Sequence, residues 1–151
     1  MNSFKIKIPK PVRTKQLERF FKENGLADLV LLSKGNKKKV NEMKIKNTYK
    51  PELLDLYNLY NFIILNKRIT VLEFGSGWSS MIIALALHKL KQRYKKKVLH
   101  LRRNNPFELF IVENEKKFLN ITKRKMVNFI KKLNINIKVN YVYSEVQMMK
   151  F

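Results

Sequence analysis

Residues 69–80, Ile-Thr-Val-Leu-Glu-Phe-Gly-Ser-Gly-Trp-Ser-Ser, limit what this chain can fold into more than any other stretch. Ile69 to Phe74 is apolar and β-branched enough for a parallel strand covered on both faces. Gly75 and Gly77 break it. Glycine lets the backbone turn sharply there and leaves room for a ligand where a Cβ would stand. Ser79 to Leu87 then holds good helix formers, with the serines at the expected N-cap. The start of that helix turns free N–H groups toward anything bound above the loop. Two glycines by themselves also suit a structural turn with no ligand.

A strand running through Gly-x-Gly into a helix is the first half of a Rossmann-type binding unit. Two details bear on its ligand. Glu73 stands two residues before Gly75, at the carboxyl end of the strand, where ligands of such sheets bind. The third glycine of the dinucleotide fingerprint falls at position 80, which is Ser80. Both count against a pyrophosphate, because an acid at the strand tip repels phosphate. The same acid suits a ligand with cationic groups.

Val71-Leu72-Glu73-Phe74-Gly75-Ser76-Gly77 resembles motif I of the class I S-adenosylmethionine-dependent methyltransferases, E/D-x-G-x-G-x-G. The match holds at Glu73, Gly75 and Gly77 and departs at Ser79, which replaces the last glycine. Trp78-Ser79-Ser80 is similar to a subgroup that carries G-S-G-W-S-T after the strand. The resemblance implies that Gly75, Ser76 and Gly77 pass under the methionine and ribose parts of S-adenosyl-L-methionine. It places Glu73 near the amino-acid end of that cofactor.

Leu109 to Glu113 reads as the second strand, apolar and ending in an acid. An acid at that tip can accept hydrogen bonds from both ribose hydroxyls of a nucleoside. In the fingerprint it comes about 20 residues after the glycines. Here it comes later, and a basic loop expected over residues 95–107 accounts for the delay. Class I methyltransferases have such an acid, and Glu113 matches it by position, with Asn114 and Glu115 as neighbouring alternatives. A strand-end acid without a ligand is the plainer reading.

The rest of the chain supplies the frame. Residues 12–24 read as a helix ended by Asn24-Gly25, and Leu26 to Leu32 as one or two more turns. Lysine-rich residues 33–48 have no period. This divides the chain into a basic helical N-terminal appendage and linker (1–48) and a Rossmann-like S-adenosylmethionine-binding domain (49–151). From Pro51-Glu52 to Asn66, apolar residues recur at helical spacing, and Tyr57 and Tyr60 fall on that stripe, either as core or beside a ligand. A helix over 115–133 and a strand over 135–143 follow. The expected fold class is therefore α/β, a Rossmann-like three-layer sandwich. Its parallel sheet is truncated at about three strands, with strand 69–74 as an open edge.

Class I methyltransferases continue through four more strands, so the resemblance covers roughly residues 50–146 and implies the cofactor half alone. The expected function is an S-adenosylmethionine-binding, methyltransferase-like protein, a fragment or truncated copy completed by a missing half or a partner chain. Two alternatives stay open. One is a nucleotide- or NAD-binding Rossmann protein. The other is a basic scaffold that binds nucleic acid or an acidic partner without catalysis. No catalytic residue is assigned, since no Ser/His/Asp set, paired carboxylates or P-loop is present. His88 and His100 lack partners at metal spacing.

Composition enters at this point. The 151 residues carry 33 Lys and Arg against 11 Asp and Glu, a net charge of +22, which favours anionic partners. No cysteine is present, which excludes disulfides and thiolate metal sites and fits a reducing, cytoplasmic setting. The longest apolar run, Met81 to Leu87, is too short to span a membrane. The open edge predicts oligomerisation or marginal stability.

Overall fold

The computed structural model of the protein describes residues 5–35, 49–101 and 104–145. The chain runs α1 (Thr14–Glu23), α2 (Ala27–Ser33), α3 (Leu53–Leu65), β1 (Thr70–Phe74), α4 (Trp78–Val98), β2 (Glu108–Glu113), α5 (Lys116–Lys132) and β3 (Lys138–Tyr143). The strands form one parallel sheet in the order β1-β2-β3. Parallel neighbours need a crossover, and α4 and α5 supply the two. The fold is α/β and Rossmann-like, with a short open sheet.

Register decides which residues share a face. Thr70 lies opposite Glu108, and Glu108 opposite Lys138. Val71, Glu73, Leu109, Ile111, Val139 and Tyr141 therefore point to one side. Leu109 and Ile111 are fully buried there. They share a core with Ile82, Leu87 and Leu90 of α4 and Met126 and Phe129 of α5. Each such side chain contributes roughly 1.5–3 kcal/mol by leaving water.

The opposite side carries Leu72, Phe74, Phe110, Val112 and Val142. Among the described residues no helix covers it: Leu72 is 55% and Phe74 64% exposed. Strand 69–74 is thus not covered on both faces, as its run of apolar residues predicts. The reason is topological. Both crossovers step in the same direction, so right-handedness sends α4 and α5 to one face. The sheet and one helical layer of the expected sandwich are present.

The N-terminal helices join that layer. Leu17 and Phe21 of α1 and Leu29, Val30 and Leu32 of α2 belong to the same core as the sheet. Asn24-Gly25 ends α1, with Gly25 at φ +74°, a conformation that favours glycine. The Phe20 ring packs edge-on against Tyr57 at 5.0 Å and Tyr60 at 4.9 Å between centroids. These two tyrosines are packing residues, and burial pushes the Tyr60 phenol above its ordinary pKa. The linker expected over 33–48 falls mostly outside the described residues.

Helix α4 is longer than its sequence pattern suggests. It takes in Lys95, Lys96 and Lys97, expected in a loop, and ends at Val98, which is buried. One apolar anchor and three cations at the negative end of the helix dipole favour that extra turn. Conversely, β3 starts at Lys138, while Ile135 packs into the core ahead of it.

Candidate functional site

The site lies at the carboxyl ends of β1 and β2, where both strands hand over to helices. Gly75 takes φ +89° and donates its N–H to the Val112 carbonyl at 2.8 Å, tying the turn to β2. Gly77 is the N-cap of α4. The serines expected at that cap are instead the second and third residues of the helix, within its first turn. Ser80 is fully buried, and its Oγ accepts the Gly77 N–H at 3.3 Å, the return half of a capping box.

Both serine hydroxyls serve Glu73. Ser79 Oγ donates to Glu73 Oε1 at 2.5 Å, and Ser80 Oγ donates to Oε2 at 2.6 Å. Burial pushes the Glu73 carboxyl above the usual range, the serine hydroxyls oppose that, and the nearby Glu113 charge adds to it. Glu73 is thus turned beneath the start of α4. It does not line the pocket above the loop.

That pocket measures about 310 Å³ and is lined by Gly75, Ser76, Gly77, Trp78, Glu113, Phe118, Lys125 and Tyr49. A Cβ built on Gly75 or Gly77 meets nothing within 4 Å, so the bare backbone of the loop faces open space. Glu113 is buried at the tip of β2. Its Oε2 accepts from Ser76 Oγ at 2.7 Å, and its Oε1 accepts from the Glu115 N–H at 3.1 Å. A carboxylate offers about four lone-pair positions, so two remain for a ligand. Glu115 itself caps α5 and contributes its backbone here.

The site residues expected from sequence thus divide. Gly75, Ser76, Gly77 and Glu113 come together around one pocket, and Glu73 supports the loop from behind. Four further lining residues, Tyr49, Trp78, Phe118 and Lys125, lie outside the expected site set, and of these only Trp78 belongs to the motif at the glycine turn. Trp78 is fixed by its Nε1–H, which donates to the Tyr49 carbonyl at 2.9 Å. Lys125 places its Nζ 4.0 Å from the Trp78 ring centroid, a close cation–π contact. Burial lowers the Lys125 ammonium to a pKa of about 8. Lys125 stands in the run Lys123-Arg124-Lys125, where nothing in the sequence separates it from its solvated neighbours. Its position relative to Met126, a core residue, is the one available hint.

Fold and site together define an α/β Rossmann-like domain with a small pocket at its first glycine turn. Comparison with protein-family models, with curated proteins and with solved structures finds no match. Among the described residues no helix is long and apolar enough to cross a membrane.

Proposed function

We propose that this chain binds S-adenosyl-L-methionine as the cofactor half of a class I methyltransferase-like protein. The observation that carries the reading is Glu113, buried at the tip of β2 with lone pairs to spare, facing an open glycine backbone across one pocket. Two vicinal ribose hydroxyls are the donors that such an acid suits. Trp78 and Phe118 supply apolar walls for a base. The volume of about 310 Å³ lies at the small end for ligand pockets and suits the nucleoside part.

The chain's own residues bind and orient. Gly75 and Gly77 allow close approach, Ser76 holds the Glu113 carboxylate in place, and Glu73 fixes the loop through Ser79 and Ser80. The cofactor supplies an electrophilic methyl group. Methyl transfer depends mostly on alignment of donor and acceptor, so this half needs no acid or base of its own. The proposal extends to partners: an acceptor-bearing half or partner chain, an anionic partner for the +22 surface, and association through the β1 edge.

Calorimetric titration of the folded chain with S-adenosylmethionine tests it. Binding that Glu113→Ala and Glu113→Gln each weaken about tenfold or more, roughly 1.4 kcal/mol, is the expected result. A parallel titration with NAD separates this reading from a dinucleotide site: heat from NAD and none from S-adenosylmethionine would favour that alternative. No binding by a chain with a cooperative melt would end this reading.

A further inference from the structure

A second concavity, of about 650 Å³, lies at the opposite end of the sheet. Lys91, Arg93, Lys95, Lys96 and Lys97 of α4 line it together with Asn136, from the turn that leads into β3. That turn is held against α4 at two points. The Asn136 N–H donates to His88 Nδ1 at 3.0 Å, and Lys91 Nζ donates to Asn136 Oδ1 at 2.8 Å. Among the described residues no acid lines the groove.

The missing acid belongs to a wider pattern. Residues 74–107 hold eight Lys or Arg and no Asp or Glu, and residues 116–144 hold eight more with none. The acids of the sheet are engaged elsewhere. Glu73 is bound by Ser79 and Ser80, Glu113 by Ser76 and the Glu115 N–H, and Glu108 by Lys138 and Asn140. Among the described residues, no carboxylate lines the groove beside its cations.

We propose that this groove binds the phosphodiester backbone of single-stranded nucleic acid without reading its bases. Phosphate oxygens accept from lysine, arginine and side-chain amides, the groups that line the groove. A flat lipid surface does not enter a concavity between a helix and a turn. Among the described residues no Phe, Tyr or Trp lines it, and the one ring present, His88, is engaged by the Asn136 N–H and the Gln92 amide, so affinity comes chiefly from the backbone charge. The inference stands apart from the cofactor pocket, which opens at the other ends of the strands.

Fluorescence anisotropy with the full chain and a labelled single strand of about 12 nucleotides tests it. The variant Lys95→Ala/Lys96→Ala/Lys97→Ala is compared with Lys5→Ala/Lys10→Ala/Lys15→Ala, which removes the same charge from exposed positions elsewhere. The groove variant should bind about tenfold weaker or worse near 0.1 M salt. Its slope of log affinity against log salt should fall by about two, as expected for three lost phosphate contacts on a single strand. The control should stay within about twofold. Lys96→Ala alone, should the triple variant not fold, should lower the slope by about 0.7. Equal weakening by both triple variants would reduce the effect to net charge and overturn the groove. So would polyglutamate or anionic vesicles binding as tightly as the oligonucleotide with the same dependence on Lys95–Lys97.

Discussion

Lys125 is the residue in which burial and charge conflict most openly. Its ammonium lies against the Trp78 ring, and its pKa falls from the ordinary 10.5 to about 8. Below pH 8 the lysine is charged in both folded and unfolded chains, so the cost of burying the charge is fully present. Between pH 8 and 10.5 the folded chain gives up this proton while the unfolded chain keeps it. The unfolded state then binds more protons, and this group makes stability rise with pH. Urea denaturation of the wild type against Lys125→Met should show the variant's advantage shrinking across that window. A difference independent of pH would mean that Lys125 titrates like a surface lysine. Glu73 teaches a related lesson about reading sequence. An acid two residues before a glycine turn is visible in the chain as a candidate ligand. That its partners are Ser79 and Ser80 depends on which way the strand faces, and this follows from burial of the helical side. Once β1 places Glu73 on that side, the start of α4 lies within reach.

At the level of elements, β1 carries the main energetic liability. Among the described residues its outer edge has no neighbouring strand, and Leu72 and Phe74 expose most of an apolar row that continues through Val112 and Val142. Edges of this kind recruit further strands. Net charge opposes association of like chains, so screening should reveal it. Sedimentation near 1 M salt, where the Debye length is about 3 Å, should show association that Leu72→Lys/Phe74→Lys removes. A monomer at every salt and protein concentration would count against the edge. The order of strands and helices was legible in the sequence because alternation, glycine turns and helical stripes are local signals. The bare face was not. The apolar run of Ile69 to Phe74 matches a doubly covered strand, and only the single direction of the crossovers leaves one side open. The extra turn of α4 was hidden for a different reason: Lys95–Lys97 look like loop until Val98 is seen packed in the core.

Over the whole molecule, 33 cations face 11 acids, and several of those acids are spent inside the sheet. Ion pairs such as Arg19–Glu23 at 2.6 Å and Lys34–Glu18 at 2.7 Å sit on the surface, where each is worth little. Self-repulsion then outweighs attraction, and salt should stabilise the fold. The urea midpoint should rise between about 10 mM and 150 mM sodium chloride, as the Debye length shrinks from about 30 Å to 8 Å. A midpoint that falls would show favourable pairs in control.

All three strands run the same way. The glycine turn with Glu113 therefore sits at one pole of the sheet, and the turn holding Asn136 at the other. A strand of six residues separates them by roughly 20 Å, more than twice the reach of a charge in physiological salt. On the two proposals above, the chain would act as a tether: a polymer gripped at the rear would leave the mouth at the front unobstructed. The proposed cargo and the proposed cofactor would then not compete for the same approach.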